Sequence, residues 1–244
     1  MPNSKQKTFY EWQKAAAGIL FPQRLCVSCG AVSPDGPLCP DCRDKQQRLR
    51  PCPYCAAFIA ATETADYCCS ECRQARPPFQ LARAAMPYQG YLRERLLDFK
   101  YRDRPGLRRP LAALLKEAFA RYYGSRAFDA LTPVPLSPCR ERERGYNQAE
   151  LLSALLSREL LIPHHPEYLR RVRETRPLAA LTRREREAEL KGAFRADPRT
   201  AGQRILLIDD IYTSGATAAA ATRALQKAGA GEVWVLAVAA GEDL

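Results

Sequence analysis

Residues 205–217 read Ile205-Leu206-Leu207-Ile208-Asp209-Asp210-Ile211-Tyr212-Thr213-Ser214-Gly215-Ala216-Thr217. Four consecutive apolar residues with no alternation predict a strand buried on both faces, as in a parallel sheet covered by helices on each side. Two acids follow, then a turn of small hydroxyl residues and glycine, then an alanine-rich stretch that predicts a helix over Ala216–Ala228. A helix N-terminus leaves backbone N–H groups unpaired and carries partial positive charge, so it suits a phosphate. Gly215 lets the backbone come close and Ala216 opens the helix, while Thr213, Ser214 and Thr217 add hydroxyl donors. Asp209 and Asp210, at the carboxyl end of the strand, can accept hydrogen bonds from vicinal ribose hydroxyls and favour Mg²⁺ nearby. Phosphate and diol on one ligand describe a ribose 5-phosphate.

Working outward, Arg204–Asp209 and Val233–Ala239 predict strands around that helix, with Gly229 and Gly231 as its stop. Upstream, Ala82–Tyr88 predicts an edge strand, and Tyr91–Tyr101, Leu107–Tyr123 and Gln148–Leu160 predict amphipathic helices. Residues 128–135 predict a strand ending in a proline-fixed loop, and the basic run 133–148 reads as the loop that joins this strand to the next helix. Strands alternating with helices give an α/β fold, a mostly parallel sheet with flanking helices, over 81–244.

The chain before residue 76 is different. Nine of the ten cysteines fall between Cys26 and Cys72, in a segment that holds four Cys-x-x-Cys pairs. Cys26-x-x-Cys29 is followed after nine residues by Cys39-x-x-Cys42, and Cys52-x-x-Cys55 after thirteen by Cys69-x-x-Cys72. Each pair forms a thiolate knuckle, and two knuckles complete a closed tetrahedral zinc site, so two structural Zn²⁺ are expected in a double zinc ribbon over 26–76. Cys68 in place of Cys69, and alternate pairing of the knuckles, both stay open at this point. A lead-in helix is expected over 1–25, and Arg76-Pro77-Pro78-Phe79 joins the parts as a stiff linker.

With 46% hydrophobic and 27% charged residues the composition excludes a wholly disordered chain, and no uncharged apolar run of membrane-spanning length occurs. We read no secretory signal at the N-terminus and therefore expect a cytoplasmic protein without disulfides. The net charge of +11 favours polyanionic partners.

The loop at 205–217 resembles the signature of type I phosphoribosyltransferases: an apolar run, two acids, two apolar residues, then Thr-Ser-Gly-x-Thr. Only Tyr212 stands where an aliphatic residue is usual. The resemblance implies a phosphoribosyltransferase-type domain that binds phosphoribosyl pyrophosphate (PRPP) with Mg²⁺ through Asp209, Asp210 and Thr213–Thr217. It also implies that the loop around Arg140, Arg142 and Arg144 holds pyrophosphate. No catalytic residue can be assigned.

The wider order of motifs is more specific. Four cysteine pairs, Phe99-Lys100-Tyr101, Pro133-Val134-Pro135, Arg144-Gly145-Tyr146-Asn147-Gln148, Gly192-Ala193-Phe194 and the phosphate loop together resemble the ComF family (ComFC- and GntX-like proteins), across nearly the whole chain. That resemblance implies a zinc-ribbon N-terminus, a phosphoribosyltransferase-type domain and a role in natural transformation, handling single-stranded DNA, with other competence or DNA-processing proteins as partners. Leu178 and Glu189 depart from the family, which usually has Gln and Asn there.

For nucleic acid, the candidates are Lys100, Arg102, Arg171, Arg173 and Arg176, with Tyr88, Tyr91, Tyr101 and Tyr146 as stacking surfaces amid arginines. The same arginines also fit a solvated charged helix. Two further functions fit this fold: an active phosphoribosyltransferase acting on a base or amine, and a ligand-sensing regulator. An active salvage enzyme needs a hood that reads its base. The sequence after the last strand is only Gly241-Glu242-Asp243-Leu244, so we expect ligand binding ahead of turnover.

Overall fold

A computed structural model describes residues 25–59, 68–176 and 181–241. Most of the lead-in helix expected over 1–25 lies outside them. In chain order the elements are α1 (Pro40–Arg48), β1 (Arg50–Pro51), β2 (Phe58–Ile59), α2 (Ser70–Gln74), β3 (Leu81–Pro87), α3 (Gly90–Tyr101), α4 (Arg108–Tyr123) and β4 (Ala130–Pro133). They continue as α5 (Pro138–Arg144), α6 (Gln148–Leu160), β5 (Leu169–Arg171), α7 (Arg183–Leu190), β6 (Phe194–Ala196), β7 (Arg204–Tyr212), α8 (Ala216–Lys227) and β8 (Glu232–Ala240).

β3, β8, β7 and β4 lie side by side in that order, all parallel. The apolar run in β7 divides by side-chain alternation between two cores. Leu206 and Ile208 join the leucines of α4 and α6, while Ile205 and Leu207 join Ala218, Ala221 and Leu225 of α8. A strand with both faces covered has no face left for polar side chains, so its acids come at the end of the run. β7 is longer than expected and carries Asp209 and Asp210 within its last rungs, Asp209 beside Ala237 and Tyr212 beside Ala240 of β8.

Two features differ from the sequence reading. The run 133–148 is not a loop throughout: Pro138–Arg144 forms α5, with Pro138 opening the helix and Gly145 closing it at φ 75°. Proline fixes the φ that a first helical turn needs, so the residue that suggests a loop starts a helix. The other feature is the antiparallel pair β5–β6, three residues each, in which Arg170 and Arg195 lie opposite one another. Strands so short and so rich in arginine carry no readable alternation.

The cysteine segments pack against β3, the edge of the sheet, and do not stand apart from it. The backbone N–H of Ala82 donates to Tyr54 C=O at 3.3 Å, and Gln46 Nε2 donates to Ala85 C=O at 3.1 Å. Arg83 Nη1 donates to the carbonyls of Cys52 (2.9 Å), Cys55 (3.2 Å) and Ala82 (2.8 Å). On the same side, Arg121 of α4 donates to the carbonyls of Gln46 and Gln47. An uncovered edge strand invites pairing with another chain, and here the cysteine segments cover it. Arg83→Met removes the cation from three carbonyls, each charged hydrogen bond being worth about 1.5–3 kcal/mol. We expect urea unfolding to show a loss of roughly 2–4 kcal/mol, and an unchanged midpoint would mean this contact holds nothing together.

Candidate functional site

One pocket opens where the carboxyl end of β7 meets the N-termini of α6 and α8. Its lining includes Lys100, Arg140, Arg144, Asn147, Gln148, Arg171, Asp209, Asp210 and Thr217. The structure thus brings together the acid pair, Thr217 in the first turn of α8 and two of the three arginines of α5, Arg140 and Arg144, while Arg142 is not in the lining. Of the predicted Thr213–Thr217 only Thr217 is in this lining; Thr213, Ser214 and Gly215 form the turn that leads into α8, and Ala216 is its first residue.

The turn is built around Gly215, which has φ 73° and caps α8. A Cβ at that position would overlap the phenol of Tyr212, and positive φ is strained for any other residue. Tyr212 is buried and meets Phe79 edge-on, with ring centroids 6.3 Å apart. The tyrosine at a usually aliphatic position therefore forms the floor under the glycine turn. α6 presents a second N-terminus to the pocket: Asn147 caps it by accepting from Ala149 N–H at 3.0 Å, and its Nδ2 donates to Val134 C=O at 3.1 Å.

Charge in the pocket is unbalanced, with four cationic side chains in the lining against two carboxylates. Lys100 Nζ lies 3.0 Å from Asp210 Oδ2, both side chains being largely buried. Burial and the adjacent Asp210 carboxylate push the Asp209 carboxyl up to about 8, with Lys100 opposing. Arg171 is 8% exposed and its Nε has no hydrogen-bond partner. Burial, then the neighbouring Arg140, pull its guanidinium below the ordinary arginine range. A like-charged guanidinium lining the same pocket lowers the preference of Arg171 for its charged form, which an anion there would oppose.

Of the five residues that the sequence offers for nucleic acid, the structure places Lys100 and Arg171 in this pocket. The remaining candidates sit elsewhere. Arg102 pairs with Asp98 at 2.9 Å, and Arg173 and Arg176 are tied to Glu189, Arg176 Nε to its Oε2 at 3.0 Å. Glu189, one of the two positions that depart from the family, is thus an internal counter-ion for two arginines, and the other, Leu178, lies outside the described residues. Asn147 and Gln148 stand in the sequence as members of a motif, Asn147 as a helix cap. Nothing in their local pattern signals that both line the pocket.

The eight paired cysteines form two groups, Cys26, Cys29, Cys39, Cys42 and Cys52, Cys55, Cys69, Cys72, with the sulfurs of each group within 4.8 Å of one another. The pairing is consecutive, and Cys69, not its neighbour Cys68, completes the second group. Cys29 Sγ and Cys39 Sγ are 3.6 Å apart, as are Cys55 Sγ and Cys69 Sγ. A tetrahedron with metal–sulfur bonds of about 2.3 Å has edges of roughly 3.8 Å, so both groups could hold a metal ion. In the second group, hydrogen bonds from Cys55 and Cys72 pull the Cys52 thiol down, and the contact with Cys52 pushes Cys55 and Cys72 up. Four thiolates this close need a cation among them.

Competence protein F of Haemophilus influenzae is 30% identical to the chain over 223 residues, covering 88% of this chain and 96% of that protein. The chain belongs to the ComF family. Competence protein ComFC of Bacillus subtilis is also 30% identical, over 81% of each chain. No family model matches. Among solved structures, the glutamine PRPP amidotransferase from B. subtilis complexed with ADP and GMP has a TM-score of 0.40 and 20% identity. That likeness spans 58% of this chain and 30% of the amidotransferase, too little to bear on function. In this ComF-family chain the parallel sheet, with the acid pair and the glycine turn at its carboxyl edge, has the layout of a phosphoribosyltransferase-like domain, preceded by two four-cysteine groups.

Cys69→Ser is expected to cost one of two bound metal ions per chain and Cys68→Ser none, as read by elemental analysis of protein purified without chelator. Equal metal content in the two variants would break the assignment of the second group.

Proposed function

We propose that the chain is a PRPP-binding protein of DNA uptake, in which a phosphoribosyltransferase-type pocket is joined to structural zinc ribbons and also engages single-stranded DNA. The observation that carries the ligand is the pocket itself. Its lining combines an acid pair suited to a ribose diol, the first turn of a helix suited to a 5-phosphate and an arginine group suited to a pyrophosphate.

In this reading Thr213–Thr217 receive the 5-phosphate on the N–H groups and hydroxyls of the turn. Asp209 and Asp210 accept from the ribose hydroxyls, and Arg140, Arg144 and Arg171 take the pyrophosphate. Mg²⁺ would arrive with the ligand, held by phosphate oxygens and the acid pair, and would neutralise the diphosphate. Lys100 holds Asp210 as its counter-ion before the ligand enters. Zinc is the metal that four thiolates at tetrahedral spacing favour, and it would close both ribbons without an open position for chemistry.

The DNA part of the reading is supported by the net charge of +11 and by two relatives named for competence. No helix among the described residues is long and apolar enough to cross a membrane, and we place the protein in the cytoplasm. The division into ribbons over 26–76 and a ligand-binding domain over 81–244 stays part of this proposal.

Titration calorimetry with PRPP and Mg²⁺ tests the ligand. Asp209→Asn with Asp210→Asn should weaken binding by on the order of 2–4 kcal/mol, the worth of charged hydrogen bonds to a diol. A double variant that binds like the parent would end the ribose-phosphate reading. Single-stranded oligonucleotides should bind with an affinity that falls with salt at a slope of about −0.7 per phosphate contacted. Binding that ignores salt would show that the arginines do not meet the phosphates.

A further inference from the structure

Four tyrosines stand among arginines, and the structure separates them. Tyr146 donates its hydroxyl to Phe99 C=O at 2.6 Å and packs its ring on Phe99, with centroids 5.7 Å apart. Tyr91 lies against Gly30, whose absent Cβ would sit 3.2 Å from the ring, and Arg95 covers it at 4.7 Å. Tyr88 packs against the core beneath α4 and α6. Tyr101 is 63% exposed. Arg144 lies over its ring at 4.8 Å from the centroid and donates to its phenol oxygen at 3.2 Å.

This exposed ring has a rigid mount. Phe99, two residues before it, is fully buried, and its carbonyl accepts from both Tyr146 Oη and Gln148 Nε2, the latter at 3.3 Å. Lys100, the residue between, is pinned to Asp210. The end of α3 is therefore held from the core side and from the pocket side at once. Tyr101 is not itself in the pocket lining, but its neighbour Lys100 and its partner Arg144 both are, which sets the exposed ring next to the pocket.

We propose that Tyr101 is a base-stacking platform for single-stranded DNA, with the adjoining phosphate of the strand on Arg144 in the pocket lining. The proposal rests on the DNA reading above and gives it a place. An aromatic face stacks on any base, and a guanidinium on the same ring binds phosphate while its own position is held by the π-face. A free acceptor base needs walls and polar groups matched to its edge. Tyr101 offers an open face beside cations, which suits a base carried on a phosphate backbone. Because the strand's phosphate and PRPP draw on the same Arg144, each should weaken the other by the same factor.

The test compares an oligothymidylate with an abasic strand of equal length and charge, by fluorescence anisotropy at low salt. The parent should prefer the base-bearing strand by roughly 5- to 150-fold, the range that stacking on one aromatic residue supplies. In Tyr101→Ala that preference should collapse towards one, while Tyr101→Phe, which keeps the ring and loses only the phenol, should retain it. A ratio within one protein does not depend on how much of the variant is folded, and Tyr101→Phe guards against loss of the fold. An undiminished preference in Tyr101→Ala overturns the platform and leaves DNA binding standing. A parent that binds neither strand overturns both readings. If free adenine or uracil, and not the oligonucleotide, loses affinity in Tyr101→Ala, the ring serves an acceptor base and the strand proposal is wrong.

Discussion

Strand β7 has to be dry on both faces, and most of the architecture follows from that constraint. Its apolar run can be buried only if α4 and α6 cover one side and α8 the other. Covering both sides of a parallel strand requires helical crossovers, which bring helix N-termini to the carboxyl edge of the sheet. The N-termini of α6 and α8 and the carboxyl groups of Asp209 and Asp210 then meet in one place. Positive helix ends and negative side chains are brought there by the same packing requirement that makes the core.

That edge is completed by an interlock between two stretches that are far apart in sequence. The carbonyl of Phe99, at the end of α3, is held by Tyr146 and Gln148 from the segment leading into α6. A carbonyl that accepts two hydrogen bonds fixes the chain on either side of it. Lys100 is thereby set against Asp210, and Arg144 against Tyr101. At the lateral edge of the sheet, along β3, the cysteine groups have a comparable role. They are too small to build a core of their own, and their carbonyls and side chains fasten to Arg83, Ala82 and Ala85 of β3. Each part supplies what the other lacks: the sheet gives the ribbons something to pack on, and the ribbons close the open edge.

Much of this is legible in the chain's local patterns. The alternation-free run at 205–208 requires a covered parallel strand, Asn147 reads as the helix cap it is, and the cysteine spacing announces two four-sulfur groups. Between Cys68 and Cys69 the sequence offers only spacing: Cys69 keeps the two-residue interval to Cys72 and Cys68 breaks it, and it is Cys69 that completes the group. Helix α5 is not legible, because its proline reads equally as loop or first turn. The site is half legible. Asp209, Asp210 and the turn announce themselves by order along the chain, but Asn147, Gln148 and Lys100 reach the pocket only through tertiary contacts that leave no local pattern.

The arginines show why net charge alone does not locate a polyanion. Arg171, Arg173 and Arg176 lie within six positions of one another and look equivalent in sequence. Strand β5 turns the first inward, where it is buried beside Arg140 with its Nε unpaired. The other two are drawn to Glu189 at the end of α7, Arg173 to its backbone carbonyl as well. Glu189 in turn is held below the ordinary carboxylate range, first by the backbone N–H of Arg176 and then by its guanidinium. Two arginines sharing one carboxylate have already found part of their counter-charge and would have to give it up to meet a phosphate. Arg171 is buried with Arg140 as a like-charged neighbour; Glu174 and Asp209 offset part of that, and its Nε is left without a hydrogen-bond partner. Three arginines that look alike in sequence thus end in different surroundings, and the fold leaves Arg171 beside Arg140 in the pocket while most of the positive charge lies outside it.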